Sequence, residues 1–87
     1  MYKIVNITNK SGKFKRNTYE ELKRIHPELR GEIVDQEYID LGISLHFLWD
    51  DDSGKMLRTS FIEEYTDKGD VIECVTMNSI YTLEKVE

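Results

Sequence analysis

The sequence contains few of the residues and patterns on which several classes of protein depend. Its 87 residues include one cysteine and two histidines, so an internal disulfide cannot form and no zinc-ligand spacing is present. No apolar run approaches the roughly 18–20 residues of a membrane-spanning helix. The first residues also lack the apolar stretch of a secretory signal. We therefore expect one reduced domain over residues 1–87, located in the cytoplasm and without membrane contact.

Acidic residues exceed basic ones, but the two charges are unevenly distributed. The chain has 17 Asp and Glu against 12 Lys and Arg, a formal net charge of −5. Residues 1–30 contain eight basic and three acidic residues, whereas residues 31–87 contain four basic and 14 acidic residues. This asymmetry bears on partners rather than on fold. The two segments either neutralise each other in the folded domain or form separate surfaces.

One segment has the signature of a helix. Thr18 and Glu21 match a capping box. Acidic residues in the first turn precede basic residues in the last, as the helix dipole favours, and Pro27 ends the segment. We predict a short helix over residues 18–26, which must be held by packing because so short a helix is marginal alone.

The remaining chain has the pattern of short strands separated by polar turns. Residues 43–49 alternate apolar and polar side chains most clearly, and the Asp-rich turn 50–54 follows them. We predict strands at residues 2–8, 32–39, 43–49, 55–62, 71–77 and 80–86. The predicted core consists of Ile43, Leu45, Phe47, Trp49, Leu57, Phe61, Val71, Val75 and Leu83.

This pattern predicts a mostly β fold of five to six short antiparallel strands with one short helix. Closure into a small barrel would protect the strand edges. The alternative is an α+β fold, an open antiparallel sheet with the helix packed on one face.

Three stretches together carry a resemblance to known proteins. They are Pro-Glu-Leu-Arg-Gly at 27–31, Leu-Arg-Thr-Ser at 57–60, and Thr-Met-Asn-Ser-Ile-Tyr-Thr-Leu-Glu at 76–84. In order and spacing they resemble small uncharacterised SH3-like β-barrel proteins of bacteria and their mobile elements. The resemblance covers residues 27–84 and implies an SH3-like barrel, to which the helix would be an addition. It transfers no functional residue, because the aromatic pairs and acidic loop of the SH3 peptide groove do not line up.

Patterns that support catalysis are missing from the sequence. Cys74 lies in an apolar stretch beside Glu73, where a reactive thiolate is not favoured. Glu63 and Glu64 are adjacent in a predicted strand and would face opposite ways. The turn at 50–54 fails the calcium-loop pattern at its fifth and twelfth positions. We expect a protein that is not an enzyme, with no catalytic residues, metal or cofactor.

The leading functional hypothesis is an interaction module that binds another macromolecule, in the first place an unknown protein. One alternative is an acidic, mobile-element-encoded inhibitor of a nucleic-acid-handling host defence protein. In this alternative, a basic partner protein contacts seven carboxylates, those of Asp50, Asp51, Asp52, Glu63, Glu64, Asp67 and Asp70. The other alternative is a weak nucleic-acid binder, in which phosphates and bases contact interleaved basic and aromatic side chains. These are Lys10, Lys13, Phe14, Lys15 and Arg16. Both a monomer and a homodimer are compatible with the sequence.

Overall fold

Six strands and one α-helix make up the part of the chain that the computed structural model describes, residues 1–10 and 18–86. In chain order they are β1 (Tyr2–Asn9), α1 (Thr18–Ile25), β2 (Arg30–Ile33), β3 (Ser44–Trp49), β4 (Met56–Asp67), β5 (Val71–Thr76) and β6 (Ser79–Lys85). A 3₁₀ turn at Gln36–Tyr38 interrupts the connection between β2 and β3. In this described part, no helix has the length and apolar character needed to cross a membrane.

The strands form one closed antiparallel ring. Each strand pairs with the next in sequence, and β1 also pairs with β6 along most of its length. The predicted mostly β class with one short helix is confirmed, and the ring takes the place of the open-sheet alternative. Because β1 and β6 pair with each other, neither is left as a free edge that would invite strand addition.

The interior of the ring contains side chains from all six strands. Of the predicted core residues, Leu45, Phe47, Trp49 and Leu83 are buried, while Leu57, Val71 and Val75 are half-buried. The buried apolar residues are Tyr2, Ile4, Ile7, Leu29, Ile33, Leu45, Phe47, Trp49, Ile62, Ile72, Cys74, Tyr81 and Leu83.

A β-bulge in β4 explains why the predicted core position of Phe61 is wrong. Arg58 pairs with His46 and Phe61 pairs with Ser44, so β4 advances three residues where β3 advances two. The extra residue in β4 reverses, for the residues that follow it, which side chains face the core and which face outward. As a result, Phe61 faces outward and is 58% exposed, whereas Ile62 faces the core and is 2% exposed.

The predicted strand over residues 32–39 is also wrong beyond Ile33. Asp35 adopts the left-handed backbone conformation, with φ of 52°, which a short polar side chain tolerates better than most. The 3₁₀ turn then starts at Gln36. Ile43, predicted to lie in the core, comes before the first residue of β3 and is exposed.

Gly31 allows β2 to lie unusually close to β3. It pairs with Trp49 across the two strands. A Cβ atom at this position would lie within 3.0 Å of both the Leu48 carbonyl oxygen and the Phe47 ring. Only glycine therefore fits this register position without moving its neighbours.

Candidate functional site

Three depressions adjoin one another along β4. The largest, about 640 Å³, is lined by the β2–β3 connection, by outward side chains of β3, and by Arg58 and Phe61. A second, about 280 Å³, shares Ser44 and Phe61 with the first. A third, about 370 Å³, shares three lining residues with the second and extends to α1. We call these three depressions together the β4 channel.

Large apolar side chains are exposed along the β4 channel. Tyr38 is 73% exposed, Phe61 58% and Met77 56%, and Ile43 is also exposed. All four line the first or the second depression. They come from distant parts of the sequence, so only folding brings them together. A contiguous exposed apolar surface with polar residues around it is typical of an interaction site.

Backbone contacts hold these side chains at the surface. The N–H of Met77 donates to the carbonyl oxygen of Phe61 at 3.0 Å, which joins the β5–β6 turn to the bulged part of β4. The N–H of Tyr38 donates to the carbonyl oxygen of Asp35 at 2.9 Å within the 3₁₀ turn. The exposure therefore follows from ordered turns and a bulge.

Polar groups alternate with the apolar ones in the channel. Arg58 and His46 are cross-strand neighbours and both line the largest depression. Within the described residues, Arg58 makes no side-chain hydrogen bond or ion pair. The Ser60 hydroxyl oxygen accepts a hydrogen bond from the Asn78 side-chain amide at 2.5 Å.

The seven carboxylates predicted to contact a basic partner do not form one cluster. Asp50, Asp51 and Asp52 lie in the turn before β4, whereas Asp67 ends the strand and Asp70 lies in the turn after it. These two turns are at opposite ends of a 12-residue strand. One partner surface would have to extend along the whole of β4 to contact both groups.

Several of these carboxylates already have partners within the domain. Glu63 forms an ion pair with Lys10, which joins the basic N-terminal part of the chain to the acidic part. Asp67 accepts a hydrogen bond from the N–H of Gly69 at 2.8 Å. Glu64 is exposed on β4. All seven carboxylates are exposed, but they are more dispersed, and more of them already have partners, than the sequence pattern indicates.

A buried histidine connects the end of α1 to the β3–β4 turn. The His26 ring stacks on Trp49 with centroids 4.0 Å apart and an interplanar angle of 9°, and its Nδ1 pairs with the Asp51 carboxylate. Hydrogen bonds from Ser53, and then from His26, lower the pKa of Asp51 to about 2. We call these three residues, His26, Trp49 and Asp51, the histidine clamp. The sequence carries no local signal for the histidine clamp, because Trp49 and Asp51 are 23 and 25 residues away from His26 in the chain.

One of the five residues predicted to bind nucleic acid lies within the described part of the chain. Lys10 is exposed and pairs with Glu63. Lys13, Phe14, Lys15 and Arg16 lie outside the described residues.

Two titratable groups in the interior of the barrel, Cys74 and Tyr65, have raised pKa values. Cys74 is fully buried, and burial raises the pKa of its thiol to about 11. Burial likewise raises the pKa of Tyr65 to about 12. Across residues 1–10 and 18–86, no three His, Cys, Asp or Glu side chains are grouped so as to hold a metal ion.

Comparison with family models, curated proteins and solved structures finds no match for this chain. The resemblance to SH3-like proteins accordingly stays a prediction. Sequence reasoning missed the channel because Tyr38 was predicted in a strand and Ile43 and Phe61 in the core. A signal that could have indicated part of it is the adjacent apolar pair Phe61 and Ile62, because neighbouring residues of a strand face opposite ways and one of the two has to face outward.

Proposed function

We propose that this protein is a non-enzymatic module that binds an extended segment of a partner protein in the β4 channel. The observation that supports the proposal most directly is the exposure of Tyr38, Phe61 and Met77 along adjoining depressions. Aromatic residues and Met are enriched in protein interfaces, where a few of them account for most of the binding energy.

The dimensions of the domain support a short linear segment as the occupant. The described residues span 32 × 29 × 21 Å, and an extended chain rises about 3.3 Å per residue. A segment that crosses one face therefore contains roughly six to ten residues. Such a segment can place alternate side chains against Tyr38, Phe61 and Met77.

Ring closure favours recognition through side chains. Peptides often bind small β domains by adding a strand to an exposed sheet edge. Here β1 and β6 pair with each other, so the ring is closed and neither of these strands offers such an edge. The channel is lined by exposed side chains, among them Arg58 and Phe61, so we infer that an occupant contacts these side chains.

We include an SH3-like relationship and a cytoplasmic location in this proposal. The closed ring of short antiparallel strands supports the first. The second is supported by a single cysteine, Cys74, that is buried and unpaired.

The exposed methionines allow a matched test. Met77 lines the channel and is 56% exposed, whereas Met56 lies outside its lining and is 43% exposed. Decapeptides selected on the wild-type protein from a random displayed library would be measured by fluorescence anisotropy. We expect Phe61→Ser and Met77→Ser to weaken binding about tenfold or more, as for hot-spot residues, and Met56→Ser to leave it unchanged. Equal affinities for Met77→Ser and Met56→Ser would contradict the proposal.

A further inference from the structure

We propose that the β4 channel selects segments that carry a carboxylate, which pairs with Arg58 between two apolar contacts. This inference rests on the proposed function and specifies its ligand: an extended peptide with one Asp or Glu flanked by apolar residues. The experiment below separates failure of the carboxylate contact from failure of peptide binding.

Arg58 lies where two of the three depressions of the channel meet. It lines both the largest depression and the one that extends to α1. Its neighbour across the strands is His46, which lines the largest depression as well. Arg58 is exposed, and its guanidinium makes no hydrogen bond or ion pair with the residues that are described.

The chemistry of the guanidinium favours a carboxylate. Its planar set of N–H donors matches the two oxygens of a carboxylate in a bidentate pair. Phe61, which lines the largest depression with Arg58, would exclude water once an apolar segment is bound. A charge-assisted hydrogen bond is stronger where water is excluded.

Ser60 supplies a second donor beside this position. Its hydroxyl oxygen accepts from the Asn78 amide at 2.5 Å, and the Thr59 hydroxyl donates to its carbonyl oxygen at 2.8 Å. The hydroxyl hydrogen of Ser60 is then left to donate. Ser60 and Arg58 line the same depression, so both can serve one anionic group.

The surrounding charges limit how acidic the ligand can be. Asp35 lines the largest depression, and Glu21 lines the one next to α1, where it has an interaction of its own. The whole chain carries −5, so an extensively acidic segment would be repelled. A single carboxylate at Arg58 within an apolar segment fits these charges.

The test uses three pools of dye-labelled nonapeptide amides that differ only in the central residue. Four positions around the centre are randomised among Leu, Ile, Val, Phe and Met, and the centre is Asp, Asn or Lys. We expect the Asp pool to bind wild-type protein about tenfold more tightly than the Asn pool, as for a hydrogen bond to a charged group, and the Lys pool to bind most weakly. Arg58→Gln removes this preference, and Arg24→Gln, at an exposed position on α1, retains it.

Each alternative result has a defined meaning. Equal binding of the three pools, or a preference that survives in Arg58→Gln, overturns the carboxylate contact and leaves peptide binding intact. If no pool binds, the inference is overturned, and the decapeptides selected on the wild-type protein show separately whether the proposed function fails as well. Tighter, Arg58-dependent binding of a dye-labelled oligothymidylate than of the Asp pool would overturn the inference in favour of a phosphate ligand. Circular dichroism of every variant verifies that the barrel is folded.

Discussion

Truncation of two adjacent residues of β4 should change the stability of the domain by very different amounts, because the bulge determines which of them faces the core. Ile62 is 2% exposed and Phe61 is 58% exposed. We predict that Ile62→Ala destabilises the domain strongly and that Phe61→Ala barely changes its stability. Without the bulge, Phe61 would face the core as Leu57 does and Ile62 would face outward. Phe61→Ala would then be the destabilising variant.

The magnitudes separate the two variants clearly. Truncating a fully buried Ile to Ala costs about 2–5 kcal/mol, from lost transfer free energy and the cavity left behind. A substitution on the surface stays within about 0.5 kcal/mol. In a domain of this size 1 kcal/mol shifts Tm by about 4–8 °C. Ile62→Ala should therefore lower Tm by at least about 8 °C, and Phe61→Ala by less than about 4 °C.

Urea denaturation followed through the single Trp measures both variants. Trp49 is buried in the native state, so its fluorescence reports unfolding. Met56→Ala, at an exposed position before the bulge, is the control for truncation at the surface. If Phe61→Ala costs as much as Ile62→Ala, the bulge is absent in solution, and the argument that Phe61 belongs to a binding surface is refuted.

Three further predictions follow from the packing and the titratable groups. Gly31→Ala should cost about 1–3 kcal/mol or more in the urea denaturation free energy, because its Cβ would overlap the Leu48 carbonyl oxygen. The pKa of Asp51 lies below its ordinary 3.8, at about 2, so its contribution to stability is present above pH 4 and is lost as the pH falls toward 2. Denaturation free energies of wild type and Asp51→Asn should therefore converge in acid; a constant difference would contradict this. Iodoacetamide should alkylate Cys74 slowly in native protein and rapidly in urea, because the buried thiol has a pKa of about 11; equal rates would contradict its burial.

Local patterns in the sequence account for most of the secondary structure. Acidic residues in the first turn, basic residues in the last turn and the proline at position 27 predict the helix, which spans Thr18–Ile25. The alternation of residues 43–49 identifies β3 and its buried Leu45, Phe47 and Trp49. Each of these signals depends on residues close in sequence, where steric and hydrogen-bonding preferences act directly.

The surface features depend on contacts that no short window contains. Leu45 donates its N–H to the Thr59 hydroxyl at 2.9 Å, a bond across the bulge between residues 14 positions apart. The left-handed Asp35 is compatible with several turns, so its side chain alone does not predict the turn that exposes Tyr38. The histidine clamp likewise depends on tertiary packing around His26. Sequence reasoning therefore identified the strands but assigned Ile43 and Phe61 to the wrong surface.

In the bulged strand β4, some residues are needed to form the barrel, whereas the side chain of Phe61 is one that we assign to binding. In β4 the first half pairs with β3 and the second with β5, and extra residues at two places allow the strand to do both. The barrel needs a residue at the position of Phe61 to maintain this register, and a small polar side chain there would satisfy the same backbone pairing. The fold therefore accounts for the position of Phe61, whereas its exposed aromatic side chain is what the proposed binding function would require.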